Sequence, residues 1–351
     1  MAPTGPITTD LTKVLGIKHP ILLAGMARVS GGPLAAAVSN AGGLGVIGGF
    51  KYTPEQLKEI LAEMKDNLAS PDLPFGVDLA LPQVGGNARK TNYDYTDGKL
   101  DELIDLTIDS GAKLFVCAVG VPPKYIIEKL HKNNILVMNM VGHPKHAKKA
   151  LDLGVDMVCA QGTEGGGHTG EIATSILIPA VVDVARQYRP PMLGGSTALV
   201  VAAGGISNGR GLASSLMQGA SGVWVGTRFV ASKEANCSQQ HKDAVVSCDY
   251  HETERSLVLT GRPIRLKVND YIRQWHQRPG EIQALCDKGV APITHDFDND
   301  KEDIDFPHLM GQVAASITKV QPAGEIVDEM VAEATEMLHK ASTFVGASSK
   351  L

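Results

Sequence analysis

Eight short apolar runs, each followed by a helical or loop stretch, recur between residues 19 and 225, and this alternation constrains the fold more than any other feature of the chain. The runs are 19–26, 44–47, 75–79, 113–118, 135–140, 157–160, 199–203 and 222–225. They lack the apolar–polar alternation of a half-exposed strand, so both faces must be covered, as in parallel strands flanked by helices. The intervening segments carry helix punctuation: Thr53-Pro54-Glu55-Gln56 combines an N-cap, a proline at the first helical position and a capping-box glutamine. Eight such units are what a (β/α)8 TIM barrel requires. An open doubly wound sheet would carry a G-x-G-x-x-G turn after its first strand. The first run here ends Gly25-Met26-Ala27-Arg28 instead.

After Phe229 the alternation stops. Residues 231–308 are polar and read as a small, mostly helical unit covering one mouth of the barrel. Further on, Ile326, Val327, Met330, Val331, Ala334 and Leu338 share one helical face, which predicts a closing helix over 326–339 that returns to the barrel. The expected organisation is a barrel of residues 1–230 and 309–351 interrupted by a cover of residues 231–308. Within the cover, 296–301 superficially resembles a calcium loop. Lys301 stands where the sixth-position glycine belongs and Pro307 where the twelfth-position glutamate belongs, so a solvated acidic loop and no metal site is expected. The polar stretch 82–98 is long for a loop in a compact domain, which marks it as functional or disordered.

A formal net charge of -5 leaves no basic excess to neutralise a nucleic-acid backbone. No uninterrupted apolar run is long enough to span a bilayer, and the first residues lack the basic and apolar regions of a signal peptide. The 5 cysteines form no C-x-x-C pair and read as reduced, mostly buried thiols. The terminal Ser349-Lys350-Leu351 has the form of a peroxisomal address, so import by the peroxisomal receptor is expected, with a cytoplasmic location otherwise.

Chemistry concentrates after the sixth run. Gly162, Gly165, Gly166, Gly167 and Gly170 surround His168, so the backbone can approach a flat ligand closely beside a ring that titrates near neutral pH. Gln161 can both donate and accept at a heterocycle edge. The seventh and eighth runs end in glycine turns, Ala203-Gly204-Gly205-Ile206 and Val225-Gly226-Thr227-Arg228. In phosphate-binding barrels these two turns hold the anion with backbone N–H groups. A mononucleotide with its phosphate there and its body toward His168 fits flavin mononucleotide (FMN). A sugar phosphate without flavin is the competing ligand.

The segments 161–168, 203–211, 226–229 and 39–45 resemble nitronate monooxygenases, formerly called 2-nitropropane dioxygenases. The resemblance covers nearly the whole chain. It implies an FMN-dependent monooxygenase that converts nitroalkanes or alkyl nitronates with O2 to carbonyl compounds and nitrite, with His168 as catalytic base. It also implies Met26, Asp78, Gln161 and Gly166 near the flavin ring, and Gly204, Gly205, Trp224, Val225, Gly226 and Thr227 at the ribityl phosphate. Two positions depart from the family pattern: Gly25-Met26 replaces proline-methionine, and Asp78 replaces asparagine. Flavin-dependent enoyl reductases look similar at the same places, so an NAD(P)H-dependent FMN reductase is the alternative.

Overall fold

The structure, a computed structural model, describes residues 4–302 and 304–345; the terminal 349–351 tripeptide lies outside the described residues. The barrel strands are β1 (Ile21–Leu23), β2 (Gly45–Gly48), β3 (Phe75–Ala80), β4 (Leu114–Ala118), β5 (Leu136–Val141) and β6 (Met157–Gln161). A two-residue strand, β7 (Gly167–His168), follows in the loop after β6, and β8 (Leu199–Ala203) and β9 (Gly222–Val225) complete the barrel. All eight predicted strands are present. They pair in the order β1-β9-β8-β6-β5-β4-β3-β2, and every pair is parallel. The ring is completed by one bridge between Leu22 and Leu44, with Leu44 N donating to Ile21 O and Leu23 N to Leu44 O, each at 2.9 Å.

Period-2 alternation sorts each strand into two packing layers. Leu22, Leu44, Val116, Met138, Cys159, Val201 and Trp224 point into the barrel, whereas Leu23, Ile47, Phe115, Val137, Val158, Val200 and Val225 point out to the helices. Nearly all are fully buried, each contributing about 1.5–3 kcal/mol relative to exposure for the larger side chains. The predicted closing helix is Ala323–Ser342, which packs on the helices Gly209–Met217 and Gly32–Asn40. Its Glu333 accepts from Gly209 N at 2.8 Å and from Arg210 at 2.9 Å, so it also caps the helix after β8. Among the described residues no helix is long and apolar enough to cross a membrane.

The stretch 231–308 holds four helices, Gln239–Val246, Asp270–His276, Pro279–Asp287 and Pro292–Asp298, together with two strands, β10 (Thr253–Ser256) and β11 (Ile264–Lys267). The strands pair antiparallel, and β7 joins β11 as the third strand of this sheet, with Ile264 opposite His168. A separate apolar cluster of Val258, Ile264, Leu266, Tyr271, Ile272, Trp275, Ile282 and Ile293 supports this unit. The acidic stretch 296–301 is exposed from Phe297 to Lys301, but its first residue is not solvated. Asp296 lies at the end of a helix and is buried, accepting from Tyr271 Oη and Trp275 Nε1 at 2.9 Å each and from Lys301 at 3.3 Å.

Candidate active site

A cavity of about 1190 Å³ opens between the C-terminal ends of the barrel strands and the cover. Of the residues expected at the cofactor and the chemistry, Met26, Asp78, Gln161, Gly166, His168, Gly204, Gly205, Trp224, Gly226 and Thr227 all line it. Val225 does not. Its side chain lies on the outer face of β9 and packs against the helix layer, because it alternates with the inward Trp224; its carbonyl accepts from Ala24 N at 2.9 Å.

His168 was expected in a loop but stands on β7, where backbone pairing with β11 fixes it. Gln161 Nε2 donates to the His168 carbonyl at 2.9 Å, so the amide expected to face a cofactor holds the loop in place with this donor. Its Oε1 makes no bond to another described residue. The imidazole Nε2 meets Thr260 Oγ1 of the cover at 3.0 Å, and Nδ1 has no hydrogen-bond partner among the described residues. Burial, reinforced by the Arg262 guanidinium, lowers the His168 pKa from 6.5 to about 4. The ring is therefore neutral at physiological pH, with a nitrogen available as a base. Gly166 sits so close to the Met310–Gly311 backbone that a Cβ there would lie 2.6 Å from Met310 C. This contact seats the loop that carries the histidine.

The turns after β8 and β9 form a cradle of donors. Gly204 and Gly205 take φ of 95° and 74°, and the Gly205, Ile206 and Thr227 N–H groups have no acceptor among the described residues. Neighbouring helix starts are already occupied. Thr174 N donates to the Glu164 carboxylate at 3.0 Å and Gly209 N to Glu333 at 2.8 Å. The open amides thus lie at the turns where an anion was expected. Thr227 Oγ1 accepts from Gly311 N at 2.9 Å and keeps its own proton to donate. Arg228 faces away, donating to Gln321 Oε1 at 2.6 Å, and takes no part in the cradle.

Asp78 is 5% exposed on the inner face of β3, with Oδ1 lacking any hydrogen-bond partner. Burial raises its carboxyl pKa well above the usual range.

Two contributors had no sequence signal. Thr260 and Arg262 come from the polar cover. Arg262 donates to Asn92 Oδ1 at 3.0 Å and to Val119 O at 3.2 Å, tying cover to barrel. The 82–98 loop is a wall of the cavity: Tyr93 and Tyr95 stack edge-on at 4.8 Å, and Lys51 Nζ lies 4.7 Å from the Tyr93 ring. Finally, Arg28, Lys51 and Val119, at the ends of β1, β2 and β4, hold φ of 58°, 56° and 72°. Such non-glycine conformations cost of order 1–3 kcal/mol each and gather where a site over-determines them.

The nitronate monooxygenase family model matches residues 8–333. The chain is 29% identical to a protein described as a probable nitronate monooxygenase of Staphylococcus saprophyticus, over 95% of this chain and 99% of that one. Among solved structures it is similar to nitroalkane oxidase from Streptomyces ansochromogenes, with TM-score 0.79, 26% identity and coverage of 95% and 100%. It is also similar to FabK from Thermotoga maritima, with TM-score 0.77, 28% identity and coverage of 97% and 100%. With the eight-stranded barrel, the histidine loop and the amide cradle on one cavity, the chain belongs to the nitronate monooxygenase family of flavin oxidoreductases.

Proposed function

We propose that the cavity holds FMN and that the chain oxidises alkyl nitronates, and nitroalkanes by way of their nitronates, with O2 to carbonyl compounds and nitrite. The observation that carries this reading is the sharing of one cavity by a neutral histidine and a set of backbone donors with no acceptor among the described residues. The turns at Gly204–Gly205 and Gly226–Thr227, with Trp224, would hold the FMN phosphate, and Met26, Asp78, Gln161 and Gly166 would contact its ring. When bound, the flavin supplies the electron acceptor that this polypeptide lacks. The chain's own contributions are placement and proton removal. His168 takes the proton from the carbon bearing the nitro group, Thr260 orients its ring, and Arg262 disfavours the imidazolium. The cover keeps bulk water from the anion so formed.

The decisive experiment combines the visible spectrum of the purified protein with anaerobic mixing, first with a nitronate and separately with NADH or NADPH. A flavin spectrum that bleaches rapidly with nitronate supports the proposal, whereas bleaching by the nucleotide alone refutes it. The competing reductase, acting on a quinone or an enoyl thioester, has one observation in its favour. The cavity exceeds the ~300–1,000 Å³ of an ordinary small-molecule site, which leaves space beside FMN for a second sizeable ligand.

The pH profile follows from the His168 environment. A histidine whose pKa falls from 6.5 to about 4 keeps its base form as pH drops through 6 and 5. For a neutral nitroalkane, kcat/KM should stay level through this interval and lose half its value near pH 4. A half-loss near 6.5 would show instead that the working imidazole is unperturbed.

A further inference from the structure

Asp78 is the one carboxylate on any barrel strand among the described residues. It sits between Gly48 of β2 and Val116 of β4, among the inward side chains beneath the cavity. No cationic side chain offsets its burial, and Oδ1 is unbonded although the residue lines the cavity. Cys117 on β4 and Cys159 on β6 interact electrostatically with it, and burial holds both thiols in the neutral form. An isolated carboxylate in such surroundings is penalised by several kcal/mol, whereas a carboxylic acid there needs only an acceptor for its proton.

Gly25 completes the arrangement. A Cβ built on it would collide with the Asp78 Cβ and Oδ2, so the carboxyl leans into space that any larger residue at position 25 would fill. Glycine at 25 and aspartate at 78 are one packing solution.

We propose that Asp78 is a further binding residue of this site, a carboxylic acid that donates a hydrogen bond from the barrel floor to the flavin ring through the space left by Gly25. The proposal rests on the FMN reading above. A neutral donor there places no charge beside an anionic cofactor.

The apoprotein gives the first test. A carboxyl whose folded pKa is raised favours the fold fully below its unfolded value of about 3.9 and loses that contribution as pH rises through the folded value. Asp78→Asn removes the loss, so its Tm advantage over wild type should widen from pH 4 to pH 8. An advantage that is constant or shrinks overturns the neutral-acid assignment. The second test is infrared spectroscopy of wild-type protein carrying carbon-13 aspartate at pH 7. A carboxylic acid C=O band that shifts when FMN is added supports the proposal, and either a carboxylate in its place or an acid band unmoved by FMN overturns it. The third is FMN affinity, expected within about threefold of wild type for Asp78→Asn and weaker by about tenfold for Asp78→Leu, which cannot hydrogen-bond. Wild-type affinity in Asp78→Leu overturns the contact. If a variant does not fold, the infrared measurement on wild type decides. Failure of FMN to bind at all removes the cofactor reading and this proposal together, whereas FMN binding with an unmoved acid band removes this proposal alone.

Discussion

Replacing His168 by asparagine should lower kcat/KM for a neutral nitroalkane by ~10²–10⁴-fold while leaving the preformed nitronate within about tenfold of wild type. The split arises because the nitronate has already lost the proton that the imidazole removes. The substitution is well suited to the test, since the structure holds position 168 by its backbone. Gln161 Nε2 bonds the carbonyl, and β7 pairs with β11 through main-chain groups. Asparagine therefore leaves the loop seated and removes the base. It also frees Thr260 Oγ1, whose remaining partners are the Arg262 carbonyl and N–H at 3.4 Å. Thr260→Val, which keeps the imidazole but not its hydrogen bond, should produce a smaller loss of the same kind. Equal losses on both substrates in His168→Asn would show that the histidine orients the substrate and does not take its proton.

The barrel was legible because its signal is redundant. Each strand is an apolar run whose neighbours are helices with their own caps, and no polar residue but Asp78 and Asn139 interrupts the strands before Gln161. The position of the open amides was legible for a related reason, since glycine turns end the last two strands at Gly204-Gly205 and Gly226-Thr227. The cover was not. Thr253–Ser256 reads Thr-Glu-Arg-Ser, which has no apolar face, and it becomes a strand only because β11 lies beside it. The sequence Ile264-Arg265-Leu266-Lys267 does alternate, and Pro263 before it disguised the strand as a turn. Asp296 misled in the opposite direction: its acidic neighbours suggested solvent, and the tryptophan and tyrosine that bury it lie 21 and 25 residues away. Thr260 reaches His168 from 92 residues along the chain by the same pairing, a distance at which no local pattern carries information. Val225 was assigned to the site from the motif alone. Strand periodicity, which places Trp224 inward, excluded its side chain from the sequence onward.

Gly205→Asp should weaken FMN binding by ~10²–10³-fold while riboflavin, which lacks the phosphate, binds the aspartate and asparagine variants alike. Position 205 has φ of 74°, a region that aspartate and asparagine tolerate better than other residues with side chains. A Cβ there meets the Glu164 Cβ at 3.3 Å, a contact relieved by a few tenths of an ångström of side-chain movement. Asparagine and aspartate share this packing demand, so the comparison between them isolates charge. The added carboxylate would face the open Gly205, Ile206 and Thr227 N–H groups. It would compete for those donors and repel a phosphate placed there, and juxtaposed like charges cost several kcal/mol. Glu164 accepts from Thr174 N and Oγ1 at 2.7–3.1 Å and keeps its charge; its repulsion of the added carboxylate acts on FMN and riboflavin binding alike, so the riboflavin comparison removes it. If asparagine harms FMN binding as much as aspartate, the effect is steric. If riboflavin separates the two variants as strongly as FMN does, the phosphate lies elsewhere and the cradle serves another anion.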